Sequence, residues 1–185
     1  MTYFPMFISL EGESCLIVGG GKVAARKCRG LLSFGASVTV VARQFTEDFV
    51  LHDRREPERS AEGGGREPVQ RAEGRVRRLR RAFRPEDVTK RRWALVVAAT
   101  DDRETNRTIG ALCRAGQIPV NVADSREECT FFFPALCMEE NVAVGITTSG
   151  QDPALAGRLR RRVEEVLPEW IREISGAGRE TEADE

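Results

Sequence analysis

A single histidine, His52, stands among the 185 residues, and the five cysteines form no C-x-x-C pair. A structural zinc site needs closely spaced nitrogen and sulfur ligands, and a disulfide framework needs an even, patterned set. The sequence argues against both. Cys15, Cys28, Cys113, Cys129 and Cys137 mostly lie in apolar segments and read as small buried filler. No apolar run approaches the roughly 20 residues of a membrane helix. The opening MTYFPMFISLEGE lacks a basic stretch and meets Pro5, unlike a secretory signal, so a cytoplasmic protein is expected. Neither charge is in excess: 29 basic residues face 29 acidic ones. A dedicated nucleic-acid binder is usually net basic, so that class is set aside. An anionic small substrate met by a local basic patch remains open. Nucleophile elbow, Walker A motif and Cys–His pairing are all missing.

What is present is a core, with 41% apolar residues, in a chain long enough for one domain or one domain plus a small appendage. Residues 6–10 and 15–19 read as a short strand and a buried strand, which either form a hairpin or simply approach each other. From Lys22 to Phe34 apolar residues recur at helical spacing, and Gly35 suits a helix stop. Residues 37–42 are apolar nearly throughout, as a strand covered on both faces should be. Strand, glycine turn, helix and strand within about 30 residues make one βαβ unit with parallel strands. Residues 52–75 are rich in Arg, Glu, Gly and Pro and read as a disordered surface loop. An edge strand or short amphipathic piece is expected within 75–83, a buried strand over 93–100, a helix over 101–116 and a buried strand over 118–124. Residues 130–136 and 141–150 then suggest two antiparallel strands around the turn CMEEN. A helix over 152–174 should break at Pro168.

The glycines read Gly19-Gly20-Gly21-Lys22-Val23-Ala24, which fits G-x-G-x-x-A between a strand and a helix. Gly19 permits the tight turn, Gly21 lets a pyrophosphate approach the backbone, and Ala24 lets the helix lie close to the strand. Free amides and the helix dipole favour an anion there. The next strand ends in Ala42-Arg43-Gln44, without the acidic residue that usually holds an NAD ribose. Arg43 suits a 2′-phosphate, and Gln44 could bond a ribose hydroxyl of either cofactor. Two further strands end in Thr100-Asp101-Asp102 and in Asn121-Val122-Ala123-Asp124, where an open sheet places its ligand. Asp101 doubles as a helix cap. Asp124 could take a proton or coordinate a metal ion.

Four segments together resemble the precorrin-2 dehydrogenase/sirohydrochlorin ferrochelatase family, the siroheme synthase N-terminal module. They are FPMFISLEGESCLIVGGGKVAARKCRGLLSFGASVTVVA, VVAATDDRETN, IPVNVADSREECTFFFPAL and ITTSGQDPALAGRLRRRVEEVLP. The resemblance implies an α/β fold: a Rossmann-type parallel sheet domain over 1–112, a small β dimerisation region over 113–148 and a short helical C-terminal part over 149–185. It implies NAD as cofactor, precorrin-2 as tetrapyrrole substrate, a homodimer, and in some members insertion of Fe²⁺ or Co²⁺. Asp124 matches the family's key aspartate, and Gly21, Lys22, Val23, Arg43 and Gln44 match its cofactor contacts. Gly19, Ala24, Thr100 and Asp101 complete the expected cofactor set. Asn121, Thr148 and Ser149 are expected at the substrate, with Arg126, Arg158, Arg160, Arg161 and Lys22 as candidate carboxylate clamps. The insertion around 55–75 is longer than the family's pattern, and no methyltransferase module is expected within these 185 residues. The rival readings are a chelatase with a vestigial dinucleotide site and a dinucleotide-sensing module without turnover.

Overall fold

Five strands run parallel in the order β3-β2-β1-β4-β5. The computed structural model describes residues 4–50 and 74–180. Most of the segment expected as a disordered loop, with His52, lies outside them. Along the chain come β1 (Ser14–Val18), α1 (Lys22–Leu32), β2 (Ser37–Ala42), α2 (Glu47–Val50), β3 (Arg75–Arg80) and α3 (Glu86–Thr89). Next are β4 (Leu95–Ala98), α4 (Arg103–Ala115), β5 (Val120–Val122) and a short 3-10 turn at Arg126–Glu128. These belong to one compact unit, Pro5–Phe131.

The register brings the strand ends level. Val18 pairs with Val41 on one side and with Ala98 on the other, and Ala98 pairs with Val122. The chain therefore leaves four neighbouring strands at one rim. Strand order reverses between β1 and β4, the switch point at which open sheets bind ligands. Burial fixes this arrangement. Leu16, Val18, Val96, Ala98, Val120 and Val122 pack with Ile109 and Cys113 of α4. Ala24, Ala25, Cys28 and Leu31 are the buried face of α1. Each fully buried Leu, Ile or Val contributes about 1.5–3 kcal/mol.

Three expectations are corrected. Residues 6–10 form no strand. β1 is the central strand with both neighbours taken, so no edge is left for a hairpin; Met6, Phe7 and Ile8 stay exposed, and only Leu10 reaches the core. The helix after β4 starts at Arg103, with Asp102 rather than Asp101 as its cap: Asp102 Oδ1 accepts from the Glu104 amide at 3.1 Å. The boundary expected at residue 112 falls inside α4, and β5 beyond it completes the parallel sheet, so this unit extends to Phe131.

The second unit comprises Phe4 and residues from Phe132 onward. β6 (Ala135–Glu139) and β7 (Val142–Ile146) form the expected antiparallel pair, but the turn is only Glu140–Asn141, with Glu140 at φ 50°. α5 (Pro153–Glu180) runs straight through Pro168. Proline's φ matches a helix, and the cost of one missing bond and a clash is borne by good helix formers on both sides. Among the described side chains of this unit Cys137 of β6 and Ala156 and Leu167 of α5 are buried, so strands and helix share one small core, and the boundary expected at 148 does not divide them.

Candidate dinucleotide site and its carboxylate

The glycine turn after β1 meets three different demands. Gly19 sits at φ +132°, and a Cβ there would lie 2.0 Å from the Ala99 carbonyl oxygen. At Gly20 a Cβ would lie 1.8 Å from the Gln44 carbonyl oxygen. Gly21 is extended, and a Cβ there would meet nothing within 4 Å. The protein itself needs the first two glycines, whereas the third opens onto free space. That space faces the first turn of α1, whose leading amides have no partner within the helix and which carries no acidic side chain. The cradle fits a pyrophosphate in shape and in charge. Ala24 is fully buried, as close helix–sheet packing requires, while Lys22 and Val23 are exposed.

Arg43 and Gln44 are exposed just past β2. The Asp102 carboxyl is held below its ordinary range mainly by the Thr105 hydroxyl at 2.5 Å, then by the Glu104 amide, with the Arg43 guanidinium acting in the same direction. Asp101 is exposed on the same rim. Thr100 is gripped by Asn106, a residue with no exposed surface: Asn106 Oδ1 accepts from the Thr100 amide at 3.1 Å and from its hydroxyl at 2.8 Å. Asn106 Nδ2 donates to the Thr100 carbonyl at 3.0 Å and to Asp124 Oδ2 at 3.0 Å.

Asp124 lies at the end of β5 with its side chain 38% exposed, and its Oδ1 is 3.7 Å from Arg103 Nη1. Arg103 also forks onto Glu128, which holds the Glu128 carboxyl below its usual range. Asn121 is buried: its amide donates to the Phe131 carbonyl at 3.0 Å and to Cys129 Sγ at 3.6 Å, so only its oxygen is left for a ligand. Burial pushes the thiols of Cys15 and Cys28 up to about 11 and that of Cys113 to about 12, in keeping with filler. Lys27 is lowered to about 8 by burial and then by Arg26, with nearby Cys129 opposing.

One rim thus gathers Gly19, Gly21, Lys22, Val23, Ala24, Arg43, Gln44, Thr100, Asp101 and Asp124. Thr148 and Ser149 lie in the other unit. The Thr148 hydroxyl donates to the Asp152 carbonyl and accepts from its amide, while Ser149 stands at φ 55°. Sequence reasoning assigned no role to Gly20 or Asn106. The signal for Asn106 was a polar residue on the stripe of Ile109 and Cys113. Among the described residues no group of three or more His, Cys, Asp or Glu could hold a metal ion, and no helix is long and apolar enough to cross a membrane.

A strand-turn-helix anion cradle at the switch point of a parallel sheet defines a dinucleotide-binding domain. The chain belongs to the family described as "Putative NAD(P)-binding", whose model matches residues 6–135. It is similar to siroheme synthases, as the four quoted segments led one to expect. It is 36% identical to that of Neisseria meningitidis over 183 residues, 97% of this chain and 34% of the relative. It is 39% identical to that of Methylococcus capsulatus over 169 residues, 91% of this chain and 31% of the relative. The chain spans about a third of the length of these curated relatives. The solved structure of SirC, a precorrin-2 dehydrogenase, has the same fold. Its TM-score is 0.61 at 24% identity, over 88% of this chain and 70% of that one.

Proposed function

We propose that the protein oxidises precorrin-2 to sirohydrochlorin with NAD⁺, releasing NADH and a proton. The carrying observation is that the open cradle at Gly21 and the held carboxylate of Asp124 lie on one rim of one sheet. A nicotinamide dinucleotide supplies the hydride acceptor when bound. Gly21 and the first turn of α1 hold its pyrophosphate, and Arg43 and Gln44 hold its adenosine ribose. Thr100 and Asp101 border it at the end of β4. Asp124 accepts the proton that accompanies the departing hydride and passes it to water. In the second unit Thr148 and Ser149, with Arg158 and Arg161, are candidates to bind substrate carboxylates; in the first unit Lys22 and Arg126 are, while the oxygen of Asn121 can only accept, as from a substrate pyrrole N–H. Arg160 is already paired with Glu164.

The relatives support this reading, since the chain matches siroheme synthases along 97% of its own length. A homodimer formed through β6 and β7 fits a two-stranded sheet too small to stand alone. Trp170 and Ile174 of α5, 51% and 74% exposed, offer it further apolar surface. Five free cysteines fit the reducing cytoplasm. Fe²⁺ or Co²⁺ insertion into the product is a second step, with Asp124 as a candidate ligand.

The test is anaerobic incubation of precorrin-2 with NAD⁺, following NADH and the tetrapyrrole spectrum, with Asp124→Ala alongside. Wild-type NADH formation that the variant loses supports the proposal. Bound NAD⁺ without NADH would replace it with a dinucleotide sensor. Fe²⁺ or Co²⁺ added after oxidation tests chelation separately. A monomer in sedimentation equilibrium at micromolar concentration would sink the dimer.

A further inference from the structure

Asn106 occupies a core position of α4, three residues before Ile109 and seven before Cys113, both fully buried. An apolar side chain would be the ordinary occupant of that stripe, and a fully buried amide is retained only where its bonding capacity is used. Here it is used in one direction after another. Three of its four bonds go to Thr100, and they fix the plane of the amide and the end that carries its hydrogens. The remaining N–H has one heading left, and along it lies Asp124 Oδ2 at 3.0 Å. Thr100 ends the strand beside the glycine turn, while Asp124 ends the next strand. One side chain therefore sets the reactive carboxylate by reference to the cofactor-side strand.

We propose that Asn106 is a positioning residue for Asp124, an inference that rests on the oxidation proposed above. By holding Oδ2 it leaves Oδ1, 3.7 Å from Arg103 Nη1, as the oxygen that takes the proton. The groups around Asp124 are the Arg103 guanidinium, Glu128 through that same guanidinium, and the thiol of Cys129. Asn106 differs from all of them in carrying no titratable group, so its own grip does not lapse with pH. An aspartate at 106 would keep the acceptor toward Thr100 but turn an oxygen onto Asp124 and onto the Thr100 carbonyl.

The experiment has two arms. The first needs no turnover: the side-chain amide signals of Asn106 are followed by ¹H–¹⁵N NMR in the wild type and in Asp124→Asn. A shift confined to Asn106 and its neighbours is expected, and unmoved signals overturn the inference whether or not the protein is an enzyme. The second arm measures kcat, KM for precorrin-2 and NAD⁺ affinity for Asn106→Asp and Asn106→Ser, each alone and combined with Asp124→Asn. Losing a bond to a charged group should lower kcat about tenfold or more, with KM and NAD⁺ affinity within about twofold. The loss should vanish against the residual rate of Asp124→Asn, because coupled residues are not additive. An equal loss in both backgrounds marks a purely structural role and overturns the inference. A wild type that makes no NADH while the NMR link holds removes the proposed reaction and leaves the Asn106–Asp124 coupling in place.

Discussion

Gly19 and Gly21 stand two residues apart in one turn and answer to opposite constraints. A Cβ at Gly19 would strike a carbonyl oxygen at 2.0 Å, while at Gly21 it would find nothing within 4 Å. Gly19→Ala should therefore fail to fold or lose stability steeply. Gly21→Ala should melt at the wild-type temperature yet bind NAD⁺ at least about tenfold more weakly, because the methyl group enters the space kept for phosphate. Thermal unfolding with NAD⁺ titration checks both. Equal affinity in Gly21→Ala would move the dinucleotide away from this turn.

Arg43 takes the place where an acidic residue would otherwise favour an unphosphorylated ribose. Arg43→Glu should lower NADP⁺ affinity by about tenfold or more and change NAD⁺ affinity much less. Fluorescence titration with both dinucleotides reads the ratio. An unchanged ratio would place the adenosine ribose elsewhere.

Lys27 should titrate near pH 8, a midpoint visible by NMR of the ¹³C-methylated lysines. Its folded value of about 8 lies below the ordinary 10.5. Between the two the unfolded chain holds the extra proton, so this group makes stability rise with pH across that window. Lys27→Met lacks the titration. Its stability relative to wild type should be greatest below pH 8 and should decline up to about 10.5. A flat difference across that range would show that the amine titrates normally.

Ser149, at φ 55°, is the non-glycine residue of the Thr147–Gly150 turn in the left-handed region. Ser149→Gly relieves strain of about 1 kcal/mol and adds roughly 0.5 kcal/mol of unfolded-chain entropy. A small rise in melting temperature is expected. If the hydroxyl also meets substrate, as proposed, KM for precorrin-2 rises in the same variant.

The central βαβ unit was legible because its signals agree. Residues 37–42 are mostly apolar and β-branched, and β2 occupies Ser37–Ala42. The glycine turn and Gly35, at φ 76°, mark the ends of α1. Residues 6–10 misled because an apolar run signals burial or pairing without saying whether an edge is free. Pro168 misled because local propensity yields to a long helix with a packed face. Gly20 was hidden by its neighbours in the motif, since its need for glycine comes from Gln44, 24 positions along the chain. Asn106 was hidden for a similar reason: its partners Thr100 and Asp124 meet only once the sheet is assembled.

The two borders of the sheet end differently. Beyond β5, Thr130 returns to pair with Val120, its amide donating to the Val120 carbonyl at 2.8 Å and its hydroxyl oxygen accepting from the Val120 amide at 2.8 Å. Among the described residues no strand lies beyond β3, and β3 carries Arg75, Arg77, Arg78 and Arg80 in six residues. A second β3 laid against it would bring four positive charges against four more, so the charge that costs little in one folded molecule keeps crowded copies apart. Replacing the exposed Arg75, Arg77 and Arg80 with threonine would make newly synthesised chains prone to stick together, sheet edge to sheet edge.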